Sequence, residues 1–101
     1  MSKPAYVFAT IKVPDLNCYI EQYAKPFLSV IEEFDGEVLA ATPQAQILEG
    51  HTNKNWTVLL KFPSLHRAEE FYHSDAYAPL LEKRQTALSE GAFMTLFEGL
   101  H

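Results

Sequence analysis

The 101-residue sequence predicts a single α+β domain, residues 1–101, in which two helices cover one face of a four-stranded antiparallel sheet. Three observations carry this expectation. Four segments rich in β-branched and aromatic residues stand apart from two segments whose apolar residues recur at three- and four-residue steps. Their order is strand, helix, strand, strand, helix, strand. Proline, glycine or a helix-capping residue marks most of the boundaries between them.

The stretch "AYVFATIKV" (5–13) lies between Pro4 and Pro14. Val7, Ala9, Ile11 and Val13 make an apolar face, and Tyr6, Phe8, Thr10 and Lys12 a mixed one, which suits a central strand. Asp15 is placed to cap a long helix whose inner stripe is Leu16, Tyr19, Ile20, Tyr23, Phe27, Val30, Ile31 and Phe34. Pro26 lacks an amide proton and predicts a kink near residues 22–26. Gly36 is expected to end that helix in the left-handed conformation.

"EVLAAT" (37–42) and "AQILEG" (45–50) read as strand pieces divided by Pro43, which confines them to a sheet edge or a bulge. "HTNKN" (51–55) is a polar turn. "WTVLLKF" (56–62) is the strongest strand pattern, with Trp56, Val58, Leu60 and Phe62 on one face. Ser64 caps a second helix that turns Leu65, Ala68, Phe71 and Tyr72 inward. After a break at "HSDAYAP" (73–79), Leu80, Leu81, Arg84, Ala87 and Leu88 resume the helical pattern as far as Gly91. "AFMTLFEG" (92–99) is the last strand.

This order is the split β-α-β arrangement of ferredoxin-like folds. Right-handed crossovers put both helices on one sheet face and the first and third strands in the middle. The opposite face stays bare, and strands one, three and four all supply apolar side chains to it. Several hundred Å² of exposed apolar sheet is about the upper limit for a soluble monomer. Burying it at about 25 cal/mol per Å² is worth several kcal/mol before association costs. A homodimer packed sheet to sheet, closing a barrel with the helices outside, is therefore expected.

Composition narrows the function. The net charge is −5 and the eight Lys and Arg residues are scattered, which argues against nucleic acid as a partner. No apolar run approaches the roughly 20 residues of a membrane span, so no membrane partner is expected. The start, "MSKPAYVFATIKV", has no signal-peptide pattern, and a lone cysteine, Cys18, makes no internal disulfide. Both point to the cytoplasm.

The segments "FDGEVLAA", "ILEG", "VLLKFPS", "AEEFYHSDAY" and "LLEKR", in this order and spacing, resemble the domain of unknown function 1330 family of the dimeric α/β barrel superfamily. The resemblance runs from Tyr6 to Gly99. Its matching positions are Tyr23, Gly36, Glu49, Gly50, Phe62, Pro63, Ser64, Tyr72, Ser74, Tyr77 and Arg84. It implies a ferredoxin-like fold and sheet-to-sheet dimerisation. The paired glycines usual after the first helix are here Asp35 and Gly36, and a basic position before the third strand is here Asn55 and Trp56. The wider superfamily implies several chemistries: cofactor-independent monooxygenation, haem degradation, lactone isomerisation and regulatory ligand binding.

Among candidate site residues, "FYHSDAYAPL" (71–80) gathers the most reactive side-chain types. Ser74, Asp75 and Pro79 are what a helix break needs on its own account. The functional alternative is a pocket splayed open at the break, with the hydroxyls of Tyr72, Ser74 and Tyr77 converging on apolar surface. Arg84 lies beside an apolar stripe, so its guanidinium needs a carboxylate. Glu49 is the candidate, either in a structural ion pair or orienting Arg84 towards a ligand carboxylate or enolate. Tyr23 joins the ligand-binding set from the first helix, or is core with a satisfied hydroxyl. His51 and Tyr77 are the candidates for moving a proton.

No metal-ligand spacing is present, since His66 and His73 would lie roughly 10 Å apart on a continuous helix. No cofactor is called for, with haem through His51 or His73 kept as an alternative. The expectation is a small-molecule-binding protein, with or without cofactor-independent proton transfer or oxygenation. The alternatives are a non-catalytic ligand-binding module and an assembly module with a filled interior.

Overall fold

The computed structural model describes residues 3–101; Met1 and Ser2, the start of the segment read for a leader, lie outside them. The chain runs through β1 (Ala5–Ile11), α1 (Leu16–Tyr19), a first π-turn (Ile20–Ala24), α2 (Lys25–Glu33), β2 (Glu37–Thr42) and β3 (Trp56–Phe62). It continues through α3 (Leu65–Tyr72), α4 (Ala78–Lys83), a second π-turn (Arg84–Leu88) and β4 (Ala92–Glu98). The sheet order is β2-β3-β1-β4, antiparallel throughout, with the two strongest strand patterns central as expected.

Register settles the faces. Ala5, Val7, Ala9 and Ile11 pair with Phe62, Leu60, Val58 and Trp56 on one side, and with Glu98, Leu96, Met94 and Ala92 on the other. Successive strand residues alternate in direction, so these rows share the face beneath the helices. There Val7, Ile11, Leu60 and Phe62 form the core with Tyr19, Phe27, Ile31, Phe71 and Leu80. The other face carries Tyr6, Phe8, Leu59, Phe93 and Phe97. Phe93 and Phe97 are 57% and 46% exposed, and the ring of Tyr6 stands 6.1 Å from that of Phe97.

Both helix caps fall where the sequence places them. Asp15 Oδ1 accepts from the Cys18 amide at 3.0 Å, and Ser64 Oγ from the Arg67 amide at 3.1 Å. Three local expectations are corrected. Instead of a simple kink, the chain widens into the first π-turn ahead of Pro26, the Lys25 amide reaching back to Ile20 O. The wider turn re-routes the hydrogen bonding that a proline interrupts.

Asp35, at φ 61, takes the left-handed position expected of Gly36. Gly36 is required for space instead: a Cβ there would lie 2.5 Å from Ile31 Cγ1 and 2.6 Å from Phe62 Cε1.

The segment 45–50 is loop, not strand. β2 ends at Thr42 opposite Thr57, one residue after β3 begins, so residues beyond it have no partner strand. β2 does lie at the sheet edge, as Pro43 led one to expect, and its irregularity falls between Val38 and Ala40. Loop residues Ile47 and Leu48 are exposed.

Asn55 closes the end of the sheet. Its side chain accepts from the Val13 amide at 2.7 Å and donates to Val13 O at 2.8 Å, copying a backbone partner. None of the described helices is long and apolar enough to cross a membrane.

Candidate functional site

The helices do not close completely on the sheet. A cavity of about 580 Å³ lies between them, walled by Val7, Ala9 and Ile11 of β1, Val58 and Leu60 of β3, and Met94 and Leu96 of β4. Its helical side is made by Tyr19, Tyr23, Phe27, Phe71, Tyr72 and Tyr77, with Lys25, Glu69 and His73 also lining it. That volume falls within the range of small-molecule sites, as does the apolar lining.

The polar end is built from two helical layers. Tyr19 and Tyr23 stand four residues apart on one helix face, their rings 4.9 Å apart. Tyr77 arrives from the break between α3 and α4, and Ser74 sets that break. Its Oγ donates to Phe71 O at 2.7 Å and accepts from the Tyr77 amide at 3.1 Å. Tyr77 is thereby turned inward, its ring 4.5 Å from Phe71 and its hydroxyl 2.6 Å from the Tyr23 hydroxyl. Both tyrosines are buried, so this hydroxyl pair is shielded from water.

Arg84 lies behind them. It is the sole buried charged residue among the described residues, at 3% exposure, and its Nε has no hydrogen-bond partner. Its Cζ is 6.0 Å from the centre of the Tyr23 ring. Burial alone lowers the affinity of the guanidinium for its proton, but the surrounding phenolic groups of Tyr77, Tyr23 and Tyr19 more than offset this. Arg84 therefore stays charged. Burial pushes the Tyr19 hydroxyl above the usual phenol range, against the pull of the Arg84 charge. Burial and the neighbouring Tyr77 do the same to Tyr23. At neutral pH both keep their protons and offer them as hydrogen-bond donors.

The structure brings together Tyr23, Tyr77 and Arg84, and sets Tyr72 on the cavity wall 5.9 Å, ring to ring, from Tyr77. Ser74 positions Tyr77 and does not itself line the cavity. Glu49 and His51 sit in the exposed loop 43–55, away from the cavity lining, and no Glu49–Arg84 ion pair forms. Opposite charge suggested that pairing, but Glu49 is exposed in a loop whereas Arg84 is buried. Of the haem candidates, His73 lines the cavity and His51 does not. Among the described residues no group of three His, Cys, Asp or Glu is placed to hold a metal ion.

Tyr19 and Trp56 are part of the site and were not singled out from sequence. The signal for Tyr19 was its four-residue spacing from Tyr23 on the inner stripe.

The family described as Domain of unknown function (DUF1330) matches residues 4–100. No curated protein matches the chain. A solved protein of unknown function from Rhodopseudomonas palustris superposes with a TM-score of 0.79 at 18% identity, over 100% of this chain and 85% of that one. SnoaB, a cofactor-independent oxygenase from Streptomyces nogalater, gives 0.62 at 11% identity over 99% and 96%. A dimeric ferredoxin-like protein of unknown function from Thermobifida fusca gives 0.65 at 10% identity over 98% and 93%. At these identities the likeness shows the ferredoxin-like fold alone.

Proposed function

The chain belongs to the DUF1330 family, and from that premise and the cavity beneath its helices we propose that it is a cytoplasmic, homodimeric protein that binds a small organic molecule. The observation that carries this reading is the cavity itself. An apolar chamber of about 580 Å³ with tyrosine hydroxyls at one end is open space that an assembly module with a filled interior has no use for. The apolar lining takes the body of the ligand, and the Tyr23–Tyr77 pair takes its polar group.

Where chemistry follows binding, it is cofactor-independent. Tyrosines that keep their protons act as acids or hydrogen-bond donors and polarise an oxygen of the substrate. The likeness in fold to a cofactor-independent oxygenase supports this by analogy. Dimerisation is supported by the apolar open sheet face and by the dimeric neighbour.

A thermal-shift screen of small aromatic and aliphatic compounds tests the proposal. A ligand at roughly one hundred times its Kd stabilises by about 2.7 kcal/mol. For a domain of this size that raises Tm by about 10 °C or more. The shift should shrink in Val58→Trp, whose indole intrudes on the cavity from β3. A screen without hits, together with no fluorescence enhancement of anilinonaphthalene sulfonate, would remove the ligand-binding reading.

A further inference from the structure

Two rare backbone features carry the two residues an apolar interior has least reason to hold. Tyr23 lies in the first π-turn and Arg84 opens the second. Such turns are uncommon and concentrate at functional sites. Arg84 is buried without any carboxylate partner among the described residues, and its Nε is unsatisfied. A buried charge left this way is costly unless something else answers it.

Hydrogen-bond chemistry gives the cluster a direction. A guanidinium only donates. Arg84 stands behind the pair with its Cζ 6.0 Å from the Tyr23 ring centre, and its charge favours hydroxyl oxygens turned towards it and protons turned away. Either hydroxyl can donate across the 2.6 Å contact, and with Tyr77 as the donor the Tyr23 oxygen is the acceptor. Tyr23 is left with its own proton unused, and Tyr23 lines the cavity. Tyr77 and Tyr23 thus form a hydroxyl pair with the fixed positive charge of Arg84 behind it.

We propose that the ligand carries a single anionic oxygen, of a carboxylate or of an acidic phenol or enol, which accepts the hydrogen bond of Tyr23 while its apolar body fills the cavity. This rests on the cavity being the ligand site. An ammonium group would face the guanidinium charge and be repelled. A neutral hydroxyl could accept the hydrogen bond but would gain little from the charge behind it. The walls around the hydroxyl pair are largely apolar, so the Arg84 charge acts on a ligand there with less screening than in bulk water. Burial, which holds Tyr23 protonated, keeps it a donor at neutral pH.

Calorimetric titration at neutral pH with three probes tests the assignment: naphthoate, dinitrophenolate and the uncharged naphthalenemethanol. At least one anion should bind about tenfold more tightly than the alcohol, in keeping with a charge-assisted hydrogen bond. Which anion does so assigns the source of the oxygen. Tyr23→Phe keeps the ring and removes the donor, so it should weaken anion binding by about tenfold and alcohol binding by less, which erases the preference. Equal binding of anions and alcohol, or a preference that survives in Tyr23→Phe, overturns this inference and leaves the cavity reading standing. Failure of all three probes to bind overturns both.

Discussion

Replacing Arg84 with methionine separates a guanidinium kept for a ligand from one kept for stability. Three contributions can be worked from the structure. Removing the unsatisfied buried Nε–H relieves about 1–3 kcal/mol of desolvation cost. Losing the cation–π contact with the Tyr23 ring costs up to about 2 kcal/mol. The shorter side chain leaves a small void costing roughly 1 kcal/mol. The terms nearly cancel, so Arg84→Met should lose about 1 kcal/mol.

For a domain of this size that lowers Tm by about 4–8 °C. Had Arg84 been half of a buried ion pair, its removal would have stranded a carboxylate at about 3–5 kcal/mol. The assay is urea unfolding with calorimetric Tm at one fixed protein concentration, because the Tm of the proposed dimer would depend on concentration. A loss above about 3 kcal/mol would show that Arg84 holds the fold together through a contact not recognised here. It would also remove the reason for giving its charge to a ligand.

Three further outcomes are expected. Phe97→Glu places a carboxylate on the open sheet face and should weaken self-association by about a hundredfold or more, read by sedimentation velocity, with the fold intact by circular dichroism. Gly36→Ala drives a methyl group into Ile31 and Phe62 and should cost about 1–3 kcal/mol in urea unfolding. Tyr19 and Tyr23 have folded-state pKa values raised above the ordinary 10.0, so their stabilising effect is complete below that pH and is lost as pH climbs towards the raised values. In that window stability should fall by about 1.4 kcal/mol per pH unit for each group, and their phenolate absorbance should appear only on unfolding.

The fold was legible because the signals that specify it are local and repeated. Four-residue steps in "LNCYIEQYAKPF" and alternation in "WTVLLKF" fix which face of each element is apolar, and the order of elements then leaves few topologies. The segment 45–50 was misread because "AQIL" has the composition of a strand, whereas being one depends on a partner that ends at Trp56. Arg84 and Glu49 were joined by charge, but sequence carries no distance between a loop and a helix. The meeting of Tyr23 with Tyr77, 54 residues apart, depends on the angle of the chain at Ser74. Residue types identified the break at 73–79 without giving that angle.

The π-turns, by contrast, have a trace in the sequence. An α-helix has 3.6 residues per turn, so residues spaced by four drift about 40° around it at each step. Tyr19, Tyr23, Phe27 and Ile31 are spaced by four and all buried. In a regular α-helix the last of them would point about 120° away from the first. Leu80, Arg84 and Leu88 repeat the pattern and are also all buried. A wider turn placed within each run takes up part of the drift and keeps the row facing the sheet. Straightening either turn would swing its stripe sideways, carrying Tyr23 from Tyr77 or Arg84 towards solvent. Packing alone would be served by ordinary three- and four-residue alternation, as in α3, where Ala68, Phe71 and Tyr72 do the same work on a regular helix. The departure from that alternation is confined to the two runs that meet at the hydroxyl pair, so what the wider turns secure is the direction of Tyr23 and Arg84.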